Sequence, residues 1–461
     1  MKRHYVSALL FIAALASLWP FVIETASPLS TAKDPGVRGG VSAGNPLPGL
    51  TPGQAALFAA AKAEFMDTEN VPDGLGPRMN LDSCVGCHVF PAPGGSSPQT
   101  NPQIAFATRL GADNTIPSFL SLHGPVREAR FVQNPDGTPD GGVHSLFTIQ
   151  GRSDAPGCTL AQPDFATAVG TDNVIFRIPT PTFGAGLIEQ IPDSAIVANQ
   201  AANAAVKKSL GIRGRPNIVL AGNAITGQPN MNGNDGTAAR FGWKAQNKSL
   251  LLFSGEAYNV EMGITNELFQ TERDETPGCN TVSIPNDTVD GNATTAIDAT
   301  SAIEKFAFFM RYLAPPTPSP NFPGGATSIN RGKSLFTTIG CAQCHTPTLT
   351  TGYSTIAALN KRSANLYSDL LIHDMGPGLA DGISQGQAGP SEFRTAPLWG
   401  LGQRIFFLHD GRTSDLEVAI QQHASGSTRN GNASEANAVV SNFNGLSETD
   451  KQNLLNFLRS L

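Results

Sequence analysis

The chain has 461 residues, with 31 Lys and Arg against 37 Asp and Glu, a formal net charge of −6. That length allows two or three domains, and a mildly acidic balance excludes the basic footprint of a nucleic-acid binder. Charged residues are only 15%, and Gly and Pro number 48 and 34, so connections are long, yet 40% hydrophobic content with 25 Phe excludes a disordered chain.

The first element is a targeting segment. Lys2, Arg3 and His4 precede an apolar run from Ala8 to Ile23, interrupted by Pro20 and followed by small residues near Ala26. This reads as a secretory signal over residues 1–26. The run is shorter than the roughly 20 residues of a membrane span. With no clean cleavage site, an uncleaved N-terminal anchor is the alternative and the only membrane association expected. Residues 27–50 are rich in Pro, Gly, Ser and Thr and read as a linker. The expected location is the periplasm, or otherwise exported, of a bacterium.

The strongest signal comes next. CVGCH spans Cys84 to His88, and CAQCH spans Cys341 to His345. C-x-x-C-H is the attachment motif of c-type haem. Its spacing follows from the chemistry: two thiols, Cys84 and Cys87 or Cys341 and Cys344, add across two vinyl groups, and the adjoining His88 or His345 becomes the proximal iron ligand. A zinc site would need two such pairs close together, whereas these start 257 residues apart. Two covalent c-type haems are expected. The remaining cysteines, Cys158 in DAPGC and Cys279 in DETPGC, sit in similar turns. In an exported chain a disulfide between them is expected, with two separate buried thiols as the alternative.

Further along, the chain repeats itself once. Ser301-Ala-Ile-Glu304 is a capping box opening a helix that ends FMRYL, and Ser447-Glu-Thr-Asp450 opens one ending FLRSL. FRIPTPTFGAGL (176–187) echoes FRTAPLWGLGQR (393–404), and FGWKAQNKSL (241–250) echoes FLHDGRTSDL (407–416), with Trp243 matching His409. The fold expected is mainly α, two cytochrome c-like haem domains in tandem. The first covers 51–313, with loop and short-strand insertions including VHSLFTI (143–149) and NVIFRI (173–178). A Pro-rich linker covers 314–328 and the second domain 329–461.

The layout resembles bacterial di-haem cytochrome c peroxidases, and is more similar still to the di-haem oxidoreductases known as thiol oxidoreductases. GPVREARF (124–131), RFGWKAQ (240–246), EMGIT (261–265), LIHDMGPGLADG (371–382) and FLHDGR (407–412) carry the resemblance. It implies that the residue 14 after the His of the HDG segment ligates the C-terminal iron, usually as Met. Here that residue is His423, giving His345/His423, with Met375 as the alternative ligand. The matching place in the first half is Ala257, which cannot bind iron. His88 is then the one repeat-derived ligand there, unless His123 or His144 caps the metal.

The resemblance also implies that Glu261 is the acid–base carboxylate and Trp243 the electron relay between haems. Arg177, Arg394 and His409 are expected to hold haem propionates. The family's Gln about ten residues after the Trp is replaced here by Leu252-Phe253, and Arg404 replaces the Thr that serves the family's calcium, which speaks against calcium. The leading reading is an exported peroxidase. It takes electrons at the C-terminal haem from a small cytochrome or cupredoxin and reduces hydrogen peroxide, or oxygen, at the N-terminal haem. A non-catalytic electron carrier and an oxygenase cleaving an organic substrate are the alternatives.

Overall fold

The structure, a computed structural model, describes residues 31–461 apart from 40–41, 111–115, 151, 219–223, 226–227, 230–237, 275, 281 and 430. The segment read as a signal lies outside the described residues. Six helices frame the two haem-attachment motifs: α1 (Pro52–Phe65), α2 (Leu250–Met262), α3 (Ala302–Tyr312), α4 (Gly325–Thr338), α5 (Leu416–Gln421) and α6 (Glu448–Ser460). The caps seen in the sequence start two of them. Ser301 and Glu304 form the capping box of α3, and Ser447 accepts from the Asp450 amide at α6.

Each C-x-x-C-H motif follows a helix that packs on a later one, α1 on α3 and α4 on α6. The seams are aromatic: Phe58 stacks on Phe309 at 5.6 Å, and Phe336 meets Phe457 edge-on at 5.5 Å. The echoing FR segments close against those helices in the same way. A Cβ on Gly186 would lie 2.0 Å from the Arg311 carbonyl oxygen of α3, and one on Gly402 would lie 1.9 Å from that of Arg459 in α6. Only glycine permits either approach.

Strands are short. β1 (Glu128–Phe131) pairs antiparallel with β2 (Val143–His144) and β3 (Val174–Arg177), and β4 (Ile372–Asp374) pairs with β5 (Glu392–Arg394). The β-prone runs 143–149 and 173–178 thus do form strands. Helix accounts for only about a third of the described residues, less than "mainly α" implies. The Gly- and Pro-rich segments keep the rest irregular.

The described part of the first linker is packed rather than free. Arg38 donates to the Gly402 and Leu461 carbonyls, Asp34 pairs with Arg459, and Leu47 N donates to Tyr312 O. The Pro-rich stretch is pinned too, by Ser319 N to Ser460 O at 2.7 Å and Asn456 Nδ2 to Pro323 O at 2.7 Å. Residues 32–461 make one compact unit. The main core runs from Phe58 and Phe309 through to Leu366, Leu371 and Trp399 of the C-terminal half. Cys158 and Cys279 are joined as a disulfide, with Cα atoms 4.5 Å apart.

Candidate active site

Both C-x-x-C-H segments close the same turn. His88 N donates to Cys84 O at 2.8 Å, and His345 N to Cys341 O at 2.9 Å. The turns place Cys84, Cys87 and His88 on one cavity and Cys341, Cys344 and His345 on a second. In each ring Nδ1 is committed to a backbone carbonyl, His88 to Gly95 at 3.1 Å and His345 to Tyr367 at 3.0 Å. Burial lowers both imidazoles to about 4, so they are neutral at pH 7 and offer Nε2 to a metal.

The opposite walls come from the repeat. A bridge between Phe241 and Asn247 precedes α2, and one between Phe407 and Thr413 precedes α5. Left-handed residues recur in register, Gly242 and Ala245 at φ 82° and 52°, Leu408 and Gly411 at 67° and 67°. Ser249 and Asp415 cap the two helices from equivalent positions. This correspondence puts Ala257 on the first cavity and His423 on the second. His423 donates Nδ1 to Ala419 O at 2.7 Å, the same arrangement as the two proximal rings, and its nearness makes His345 harder to protonate. Met375 lines that cavity as well.

The two other histidines considered for the first iron are elsewhere. His123 is exposed in a turn. His144 is bound to Asp140 at 2.7 Å and stacked on Phe131 at 3.8 Å, on the insertion sheet. Neither lines the first cavity, where His88 is the one histidine among the described residues.

That cavity is instead acidic on one side. Glu261, Glu256 and Glu128 all line it. Burial, with the neighbouring Glu128 carboxylate, pushes Glu261 up to about 8. Burial also raises Glu256, which accepts from Asn247 Nδ2 at 2.5 Å, while Glu128 is paired with Arg130. Glu261 is therefore the acid-form carboxyl facing the cavity at neutral pH.

Trp243 lines both cavities. Its indole Nε1 donates to Ile178 O at 3.0 Å and its carbonyl accepts from Arg394 N at 2.9 Å, so it is tied to the ends of both FR strands. His409 lines the second cavity, stacks on Phe393 at 4.4 Å and meets Trp243 edge-on at 6.4 Å. Burial lowers it to about 4, which keeps it neutral.

The arginines divide. Arg177 lines the first cavity, but its charge is already balanced by Asp381 at 2.8 Å, with Gln385 at 2.6 Å. Only its Nε is buried without a partner, so the expectation that it serves a propionate is cut back to that one donor. Arg394 and Arg404 line the second cavity, and neither has a carboxylate in ion-pair range among the described residues.

Two haems fit these walls. Buried polar atoms lacking partners line the first cavity, namely Asn80 Nδ2, Ser83 Oγ, Arg127 Nε, Arg177 Nε and Gln246 Oε1, and Arg404 Nε lines the second. Such atoms are costly unless a bound group satisfies them. A haem brings two carboxylates to paired thiols and a neutral imidazole. Sequence reasoning missed Arg404 as a cation lining the second cavity, having considered it only as a lost calcium ligand. It missed Gln246 as well, whose unpartnered Oε1 lines the first cavity.

The family model described as "Di-haem oxidoreductase, putative peroxidase" matches residues 127–461. No curated protein matches the chain. Several solved structures show distant similarity, three of them as follows. Hydrazine synthase of Kuenenia stuttgartiensis, pressurised with xenon, is 15% identical at TM-score 0.22 over 36% of this chain and 56% of that one. A MauG-like protein associated with microbial copper homeostasis is 18% identical at TM-score 0.25 over 37% and 55%. The diheme peroxidase BthA from Burkholderia thailandensis is 15% identical at TM-score 0.29 over 48% and 65%. The chain thus spans between about half and two thirds of each.

Proposed function

The chain belongs to the di-haem oxidoreductase family, and we propose that it is an exported peroxidase that reduces hydrogen peroxide at its N-terminal haem with electrons received at its C-terminal haem. That it is an oxidoreductase carrying two c-type haems follows from the family and its two motifs. The observation that carries the finer reading is the contrast between equivalent positions, Ala257 on the first cavity and His423 on the second.

When bound, the haems supply one-electron redox chemistry, and an iron with an open sixth position can bind peroxide or oxygen. The chain's own residues divide the remaining work. Cys84, Cys87 and His88 hold the first haem, and Cys341, Cys344, His345 and His423 the second. Arg394, Arg404 and His409 line the second cavity and would serve the second haem's carboxylates. Reduction of one peroxide to two waters consumes two protons and two electrons. Glu261, held in its acid form by burial, would donate one proton to the leaving peroxide oxygen, be reprotonated from solvent and pass on the second proton by the same route. Trp243 bridges the two cavities and orders the electron route. The donor fitting such a route is a small periplasmic cytochrome or cupredoxin. Among the described residues no helix is long and apolar enough to cross a membrane.

The test is peroxide consumption by the haem-loaded protein with a reduced small cytochrome as donor. Stoichiometric donor oxidation, two electrons per peroxide, supports the reading. A fully loaded protein that passes electrons but consumes no peroxide contradicts it and leaves a di-haem electron carrier.

A further inference from the structure

The residue after Trp243 carries a charge that solvent does not reach. The Lys244 side chain is fully buried. Its Nζ donates to Asp381 Oδ1 at 3.0 Å and to the Gly389, Pro390 and Glu392 carbonyls at 2.9, 3.2 and 3.0 Å. The Phe393 ring lies 4.0 Å away. Four oxygens surround three donors, so the ammonium is saturated. Asp381 is equally buried and is shared with Arg177.

A buried charge is expensive, and an apolar side chain of similar volume is often no less stable. Stability alone therefore gives no reason for a lysine here. Its place in the chain does. Trp243 is tied by its indole to Ile178 and by its carbonyl to Arg394. Through the next side chain it gains a third tie, to the 381–392 segment, which runs into the strand bearing Arg394. Arg177 meets the same carboxylate from the wall of the first cavity. The cage thus joins the segment carrying the indole to parts of both halves.

We propose that Lys244 is a positioning residue for electron transfer, its caged ammonium clamping the Trp243 segment so that the indole stays between the two cavities. This rests on the reading of Trp243 as the electron bridge. The cage itself, three carbonyls and one carboxylate, is a donor set for a small cation, so truncating the lysine leaves a site that an added ammonium ion can refill.

The experiment uses the haem-loaded full chain. The C-terminal haem is reduced by a flash, and electron arrival at the N-terminal haem is followed optically. Lys244→Met should slow transfer by on the order of tenfold or more, as misplacement of a working group does, with both haem spectra unchanged. In Lys244→Ala the rate should recover with added ethylammonium but not with tetramethylammonium, which has no N–H to donate. In a Trp243→Phe background Lys244→Met should add no further slowing. Asp381→Asn, which keeps the ammonium and the three carbonyls, reads the same rate should the lysine variants fail to load haem, and should also slow it. An unchanged rate in these variants alongside a slowed Trp243→Phe overturns the role of Lys244 and leaves the bridge standing. Additive slowing in the double variant overturns it too. An unchanged rate in Trp243→Phe removes the bridge itself, and this inference with it.

Discussion

Ala257, within α2, and His423, just past the end of α5, stand at equivalent positions, the two helices capped from the same register and the two residues each lining one cavity. Fourteen residues lead from Trp243 to Ala257, and fourteen from His409 to His423. Ala257→His should therefore give the first haem a second protein ligand. The expected outcome is loss of the high-spin ferric signal and of peroxide turnover, with electron uptake at the C-terminal haem intact. A variant that still turns over peroxide at the parent rate would separate the repeat from the chemistry.

At the second haem, His423→Met should raise the midpoint potential, because a thioether sulfur favours the reduced iron more than imidazole does. Redox titration with optical detection measures it. An unchanged potential and spectrum would move the ligand to Met375.

The raised Glu261 predicts a pH profile. Its acid form is the working one and persists up to about 8, so peroxide turnover should fall as pH rises through that value. Glu261→Gln should lower turnover, by about 10²–10⁴-fold for a lost general acid, and abolish that limb. Stability changes over the same range. Between the ordinary 4.5 and about 8 the unfolded chain is ionised at this group while the folded one is not, so the folded state binds more protons and loses stability as pH rises. Thermal melts should show the Gln variant gaining on the parent from pH 5 to pH 8 and no further above it.

The Cys158–Cys279 disulfide closes a separation of 121 residues between two buried side chains. Replacing both cysteines by serine should cost about 2–5 kcal/mol in denaturant unfolding. The haem spectra should not change, since neither cysteine lines either of the two cavities that carry the C-x-x-C-H motifs.

The features legible in the sequence are local or periodic. The two C-x-x-C-H turns, the Ser301 and Ser447 caps and the Trp243/His409 correspondence all depend on short spacings, and the structure carries each one. The packing of residues 32–39 against α6 was not legible, because its bonds join residues hundreds of positions apart. The same holds for the 381–392 segment around Lys244. Arg177 shows this limit again. Its FR motif marked it as a haem cation, whereas the fold commits its charge to Asp381, 204 residues away. Lys244 lies in RFGWKAQ and Arg404 in FRTAPLWGLGQR, yet neither string tells what its cation faces; only the closed structure shows a guanidinium lacking an acid among the described residues and an ammonium enclosed by oxygens.

Whether the N-terminal iron is the open one is tested most directly by electron paramagnetic resonance of the ferric, haem-loaded protein, before and after adding cyanide. One high-spin and one low-spin haem are predicted, with cyanide converting only the high-spin signal and Ala257→His abolishing that conversion. Two low-spin haems in both redox states, neither binding cyanide, would contradict an open N-terminal iron.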